Sequence, residues 1–448
     1  MDNDKEEVKI VIEKLVYGGY GMARYADKIY MVNNVYPGEF VSVIPTRTNK
    51  NLVFADLKEI LQPSHQRISS KCKHFPECGG CQWLDYDYKS QLKSKTEIVK
   101  EQLERIGKLD SSLVNDIIES DLIWGYRNRM EYAFQKNNKL KLGLNIANSN
   151  NVLDIYSCPI SPNLFDNIRN KFRELVNKLN IEIYDKKTKK GILKHLVIRR
   201  SFSKNQTMVI IVTNTEYLPY EEEIKQFFQQ NFQPYSLIHL MNSSDSVVLR
   251  GPYKTLLGEG VLNEEFDDFK FQIPPTSFFQ NNYNVTQKLL RHILEYFKNN
   301  TQKDDTMLDL YSGVGLFSIY FSPLFKHIES VETSKISVKA AISNSHINFI
   351  KNVNFILASS KPYLMKNSDK RFDYVILDPP RKGLEKEEIH LLSSMATKGI
   401  IYISCDPSTF ARDLNLFTKN GFTLKSVQPF DMFPHSYHIE NVGILEKN

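Results

Sequence analysis

The chain has 448 residues, too many for one ordinary core at roughly 100 to 200 residues per domain, so two or three domains are expected. Hydrophobic residues at 41%, aromatics at 12% and charged residues at 25% exclude a wholly disordered chain. Lys plus Arg at 58 against Asp plus Glu at 52 leaves +6, a mild excess whose meaning depends on where the basic residues cluster. No apolar run approaches the ~20 residues that cross a bilayer. The first residues, MDNDKEEVKI, are charged where a signal peptide would be apolar, so a cytoplasmic protein without membrane contact is expected. The five cysteines then point to reduced thiols in metal or catalytic work and not to a disulfide framework.

Residues 8–60 alternate apolar and polar positions between glycine turns: VKIVIEKLV, the Tyr17-Gly18-Gly19-Tyr20-Gly21 turn, KIYMV, then EFVSVIP and LVFADLKEI after Pro37-Gly38. This pattern predicts a small β-barrel, an architecture that often binds oligonucleotides. Residues 86–107 place Leu92, Ile98, Val99, Leu103 and Ile106 at helical spacing among Lys, Glu and Gln, which predicts an amphipathic helix ending at Gly107. From about 122 to 262, strand-like runs (MEYAFQ, HLVIRRS, TMVIIVT, SLIHLMN) alternate with helix-like ones (FDNIRNKFRELVNKL, YEEEIKQFFQQ), a mixed α/β insert. Within it Lys186, Lys187, Lys189, Lys190, Lys194, Arg199 and Arg200 form a candidate phosphate-contacting patch, with a solvated basic face as the alternative. The last third spaces apolar strands by helical lengths (TMLDLYSG, HIESVE, VNFILAS, FDYVILDPP, GIIYISCDP), which predicts a parallel, doubly wound sheet with its ligands at the carboxyl ends of the strands.

Each of those strand ends carries something polar. Asp309-Leu310-Tyr311-Ser312-Gly313-Val314-Gly315 closes one strand and opens a helix, where glycine lets backbone approach a ligand. Ser318 replaces the third glycine of a dinucleotide fingerprint, so the loop alone is a weak signal. Glu332, at the end of the next strand, is placed to accept hydrogen bonds from a ribose diol, favouring a nucleoside-containing cofactor. Asp378-Pro379-Pro380-Arg381-Lys382-Gly383 must leave the sheet, since two prolines cannot continue a central strand. Methyltransferases acting on exocyclic amines typically follow such an acid-Pro-Pro run with an aromatic residue. Here Arg381 follows, which points away from amino-group methylation. Ser404-Cys405-Asp406-Pro407 puts a thiol in a polar turn on the same rim, a candidate nucleophile. Glu440, just before the last apolar strand, is the candidate proton acceptor.

The remaining cysteines, Cys72, Cys78, Cys81 and Cys158, match either a tetrahedral structural zinc or a four-iron, four-sulfur (4Fe-4S) cluster. Gly79 and Gly80 would let backbone wrap a bulky centre and Cys158-Pro159 is similar to the terminal ligand of iron-sulfur runs, which favours the cluster. Four thiolates would leave no open iron for radical chemistry, so a structural or RNA-positioning centre is expected.

Taken in order, Phe279-Gln280-Asn281, Asp309 to Gly315, Glu332, DPPRKG, SCDP and His438-Ile439-Glu440 resemble the RNA uracil-5-methyltransferases, most nearly the bacterial 23S ribosomal RNA branch with an iron-sulfur cluster. The resemblance covers nearly the whole chain, and DPPRKG with SCDP are its specific motifs. It implies an α/β multidomain protein: a TRAM-like, OB-like β-barrel for RNA binding at 1–62, a mixed α/β central domain with the cysteine cluster at 63–84 and 120–262, and a Rossmann-like class I methyltransferase domain at 85–119 and 263–448. The helix near 86–107 would thus pack with the catalytic domain. It further implies that Gln280, Tyr311, Glu332 and Asp378 bind S-adenosyl-L-methionine, that Cys405 attacks carbon 6 of a uridine, that Glu440 takes the proton from carbon 5, and that Cys72, Cys78, Cys81 and Cys158 hold the cluster. The implied partner is RNA, first 23S ribosomal RNA, with no membrane and no obligatory protein partner. The alternatives are a transfer-RNA T-loop uracil-5-methyltransferase, which shares the catalytic motifs, and a non-catalytic RNA-binding or ribosome-assembly module.

Overall fold

The structure, a computed structural model, describes residues 7–245 and 247–448; residues 1–6 of the expected N-terminal barrel lie outside the described residues. Its first unit is a six-stranded sheet in the order Val8–Val11, Phe40–Asn49, Leu52–Gln62, Lys28–Val32, Gly21–Tyr25, Lys14–Leu15. Ile10, Ile12, Val32, Val41, Val43 and Val53 fill its core, the apolar half of the alternation. Among the described residues no pairing joins the two edge strands, so the ladder is open where a closed barrel is expected. The two edges are nevertheless consecutive in the chain, and the link between them donates Ile12 N to Glu39 O at 2.9 Å and Glu13 N to Met22 O at 2.8 Å. One bent stretch therefore bonds to both sides of the sheet.

The second sheet has seven strands, ordered Tyr253–Gly258, Ser236–Met241, Thr207–Thr213, Leu193–Arg200, Arg129–Lys136, Leu140–Asn145, Val152–Asp154. Only the Thr207–Thr213 and Ser236–Met241 pair is parallel. The helices Asn163–Lys178 and Glu221–Asn231 cover one face, where Phe172 and Phe228 meet Val209 and Ile211. Met208, Ile210 and Val212 point the other way, into a core shared with Leu289, Ile293 and Met307 of the third unit. That sharing explains why the central strand is apolar at every other residue on both faces.

The third sheet runs Val353–Leu357, His327–Glu332, Thr306–Leu310, Phe372–Leu377, Ala396–Ser404, Glu440–Lys447, Phe422–Phe430. The first five strands are parallel, and Glu440–Lys447 is antiparallel to both neighbours. The order reverses at Thr306–Leu310, so a crevice opens at the carboxyl ends beside that strand. Because the last strand runs backwards, its first residue, Glu440, arrives on that same rim.

The helix Tyr88–Gln102 begins at Asp87, whose carboxylate accepts Ser90 N at 3.0 Å, and it packs Ile98, Val99 and then Leu103 against Leu414, Phe417 and Val427 of the third unit. Ile98, Val99 and Leu103 of the expected stripe are buried. Ile106 is 41% exposed, whereas Gln91 and Lys95 are fully buried. Both polar groups are satisfied: Gln91 Nε2 donates to Trp83 O and Tyr86 O at 3.0 and 2.8 Å, and Lys95 Nζ lies 2.5 Å from Asp431 Oδ1 and donates to Phe433 O at 3.1 Å, with Tyr88 donating to Asp431 Oδ2 at 2.8 Å. Burial alone pulls the Lys95 ammonium down from its ordinary range, and Asp431 opposes that. Lys95→Met is expected to strand the Asp431 carboxylate in the core and cost about 3–5 kcal/mol, read from the urea midpoint. An unchanged midpoint would show that the pair contributes nothing. No helix among the described residues is long and apolar enough to cross a membrane.

Candidate active site

The loop after Thr306–Leu310 turns back on itself through three left-handed residues, Tyr311 (φ 64°), Gly313 (φ 56°) and Gly315 (φ 84°). A Cβ on Gly313 would meet nothing within 4 Å, so the space above this loop is open to a ligand. Glu332 ties down the loop: Oε2 accepts Gly313 N at 3.0 Å and Oε1 accepts Ser334 N at 2.7 Å. The Tyr311 hydroxyl lies 2.8 Å from Ser360 Oγ and donates to Glu388 at 3.3 Å. Beneath it Asp309 is fully buried; Oδ2 accepts Ser318 N and the Ser318 hydroxyl, and Oδ1 has no partner. Burial pushes the Asp309 carboxyl up to about 7, with Asp378 and Glu332 adding to the effect.

Across the crevice, Gln280 Nε2 donates to Asp378 Oδ2 at 3.2 Å. The Gln280 segment is held from the second sheet by Asn128, whose Nδ2 donates to Gln280 O at 2.9 Å and whose N donates to Asn281 O at 3.1 Å. Arg199, buried, donates to the carbonyls of Pro274, Pro275 and Ser277 at 3.1, 3.3 and 2.9 Å just upstream. These arginine and asparagine contacts fix the entry of one unit's loop with another unit's strand.

Cys405 and Glu440 come together through register. Ser404 pairs with Asn441 on the antiparallel last strand, so the residue after one faces the residue before the other. Glu440 is 4% exposed, and burial, then the neighbouring Asp378 carboxylate, drives its carboxyl well above the ordinary range, opposed by Arg381. Burial raises Asp378 as well. Two carboxyls this close in a dry site resist sharing two negative charges. The Cys405 thiol, half-buried, is pushed up to about 12, first by burial, then by Glu440 and Asp378, with Arg381 opposing through its charge and a hydrogen bond. Arg381 is thus the cation that favours the thiolate, and its Nη2 lies 3.5 Å from His438 Nδ1. Tyr17 of the first sheet's glycine turn donates to Cys405 O at 3.3 Å, which docks that unit on the Cys405 loop.

A cavity of about 460 Å³ reaches this rim, lined by Arg127, Arg129, Asn281, Arg381, Phe433 and His438, with Gly79 and Gly80 at its far wall. Nothing in the spacing of Arg127, Arg129 or Tyr17 marks them in the sequence; they arrive from other units. The Lys186–Arg200 patch is smaller than expected. Lys194 is buried on Asn242 O and Ser244 O at 3.0 and 2.8 Å and pairs with Asp245, and Arg199 is committed to carbonyls, so neither reaches a phosphate. Lys186, Lys187 and Lys190 remain exposed.

Cys72, Cys78, Cys81 and Cys158 lie close enough to act on one another's charge. Burial pushes Cys78 up to about 11, and Cys158 and Cys72 push it further; Cys81 and Cys158 are raised by burial and then by their neighbours. No three His, Cys, Asp or Glu side chains are grouped to hold a metal ion among the described residues.

A family model described as tRNA (Uracil-5-)-methyltransferase matches residues 87–448. A protein of Thermotoga maritima named as an uncharacterized RNA methyltransferase is 43% identical over 98% of this chain and 99% of its own length. Another so named, from Clostridium tetani, is 34% identical over 95% and 93%. The solved structure of Pyrococcus abyssi tRNA (uracil-54, C5)-methyltransferase in complex with S-adenosyl-L-homocysteine superposes with a TM-score of 0.77 at 26% identity, covering 98% of this chain and 100% of that one.

Proposed function

The chain belongs to the tRNA (uracil-5-)-methyltransferase family and is an S-adenosylmethionine-dependent RNA methyltransferase, and on that premise we propose that it methylates carbon 5 of a uridine through Cys405 and Glu440. The observation that carries this reading is the pairing of a thiol and a buried carboxyl on adjacent strands, with the Arg381 charge favouring the thiolate. Carbon 5 of uracil is too weak a nucleophile to attack a sulfonium methyl. Addition of the Cys405 thiolate at carbon 6 turns the ring into an enolate with its electron pair at carbon 5. That pair takes the methyl, and S-adenosylhomocysteine leaves with the carbon–sulfur pair. Glu440 then removes the carbon 5 proton; the released pair re-forms the ring double bond and expels Cys405 as thiolate.

S-adenosylmethionine supplies an electrophilic methyl when bound. The open space over Gly313 and the unpartnered Asp309 Oδ1 beneath the loop fit a ligand there. Gln280, Tyr311, Glu332 and Asp378 are the residues proposed to hold it, Glu332 Oε2 keeping a lone pair for a ribose hydroxyl. Arg381 is proposed to hold the thiolate or the enolate oxygen.

The thiol and the base both have raised pKa values, so both reach their reactive forms as pH rises. The single-turnover rate is expected to climb from pH 6 to 9 and to be lost as pH falls. Arg381→Met removes the opposing cation and should move the profile to higher pH by about one unit, the worth of one charge-assisted hydrogen bond. A profile that stayed in place would remove Arg381 from this role.

For the substrate, 23S ribosomal RNA is the reading carried by the N-terminal sheet and the four cysteines. Transfer RNA is the second reading, favoured by the full-length likeness to the Pyrococcus enzyme. The sheet's two consecutive edges support a TRAM-like barrel at 1–62, and the shared core of the Tyr88–Gln102 helix supports assigning 85–119 and 263–448 to the catalytic domain, with 63–84 and 120–262 as the central one. The four thiols Cys72, Cys78, Cys81 and Cys158, with Gly79 and Gly80 between two of them, support a 4Fe-4S cluster with a structural zinc as the alternative, checked by iron and zinc analysis of anaerobically purified protein. A cytoplasmic location and no obligatory protein partner complete the proposal. Incubation with labelled S-adenosylmethionine and, separately, unmodified ribosomal and transfer RNA tests it. Label at 5-methyluridine in one of them is expected; label on another atom of another base would overturn it.

A further inference from the structure

The segment that delivers Glu440 contains one residue in a costly conformation. His435 is buried and adopts φ 66°, a left-handed backbone that non-glycine residues avoid. Both of its backbone polar groups are held from outside the catalytic sheet. Its N donates to Gln91 Oε1 at 2.9 Å. Its O accepts Gln82 N and Trp83 N at 3.1 and 3.0 Å, the two amides directly after Cys81. Gln91, fully buried, is locked in turn by donating Nε2 to Trp83 O and Tyr86 O at 3.0 and 2.8 Å. The imidazole stacks on Trp124 with centroids 4.0 Å apart. Just upstream, Phe433 O accepts Lys95, and Pro434 O accepts the Tyr126 hydroxyl at 3.1 Å.

The chain thus leaves one strand at Asp431, is bent at the left-handed His435, and re-enters the sheet at Glu440. We propose that His435 is a positioning residue: its left-handed backbone, clamped by Gln91 and by the Gln82 and Trp83 amides, sets where Glu440 meets the carbon 5 proton. This rests on the reading of Glu440 as the base. The device acts after methyl transfer, so its loss should slow release of the covalent RNA–protein intermediate without weakening the binding of either substrate. It also links the Cys72–Cys81 segment to the catalytic rim through one carbonyl.

The test uses the full-length protein and compares His435→Gly, which adopts φ 66° freely and keeps both backbone bonds, with His435→Val, which resists that backbone. Methyl transfer and decay of the covalent RNA–protein complex are followed in one single-turnover experiment, alongside KM for RNA and affinity for S-adenosylmethionine. The complex should decay at least tenfold faster in His435→Gly than in His435→Val, with KM and cofactor affinity agreeing within threefold. Should His435→Val not fold, Gln91→Glu, which keeps the acceptor for His435 N, should release the complex at least threefold faster than Gln91→Met. Equal decay within either pair would overturn the proposal. Glu440→Gln runs beside them. If it accumulates no complex, the base assignment falls and this inference with it; if it does while His435→Val and His435→Gly decay alike, only the positioning role falls.

Discussion

Cys405→Ala should abolish methyl transfer, by about 10⁴-fold or more, while S-adenosylmethionine binds as before. In the proposed mechanism the thiolate makes the reactive carbon, and without it the ring has no electron pair to offer at carbon 5. Cofactor binding should survive because the glycine loop, Glu332 and the Gln280–Asp378 pair are built from other strands and do not depend on the sulfur. The substitution trims a half-buried side chain at a turn whose helix is capped by Asp406, which accepts Ser408 N and Thr409 N at 3.0 Å, so the fold should hold. Equilibrium binding of the cofactor and a methyl-incorporation assay on the same preparation separate the two effects. Turnover at a rate close to native by this variant would contradict a covalent mechanism.

Glu440→Gln should act later and leave a different trace. The amide keeps the size of the side chain but cannot take a proton, so methyl transfer proceeds once and the product stays attached to Cys405. Multiple turnover should drop by about 10²–10⁴-fold, the usual contribution of a placed base, while a denaturation-resistant RNA–protein complex accumulates in nearly stoichiometric amount. The structure supplies the reason that Glu440 and not Asp378 is the candidate. Asp378 accepts Gln280 in the crevice, whereas Glu440 stands on the strand beside the thiol. Glu440→Gln that turns over freely would pass the base role to another group.

Much of the fold is legible in the sequence, and the pattern of what is not has a physical cause. Strands with period-two alternation, and apolar strands separated by helical lengths, announce their sheets because burial on one face or both leaves a compositional trace. DPPRKG and SCDP are equally readable, since two prolines and a cysteine in a polar turn have few structural excuses. The contacts that assemble the site are another matter. Tyr17, Asn128 and Arg127 come from units that precede the catalytic sheet by a hundred residues or more, and nothing in their own segments ties them to the site. Gln91 and Lys95 mislead more directly. They extend the buried stripe of Ile98, Val99 and Leu103 by two polar side chains, and only Asp431 and His435, far along the chain, show why polar groups belong there. The basic patch is smaller than its charge count for a related reason: the fold commits Lys194 and Arg199 to buried carbonyls and leaves Lys186, Lys187 and Lys190 exposed.

The central claim is that a carbon–hydrogen bond at uracil carbon 5 gives way to a carbon–methyl bond. RNA carrying tritium at that carbon tests it without reference to any single residue. One tritium released to water for each methyl incorporated, in the RNA that the enzyme accepts, is the predicted result; methyl incorporation with the tritium retained would contradict it.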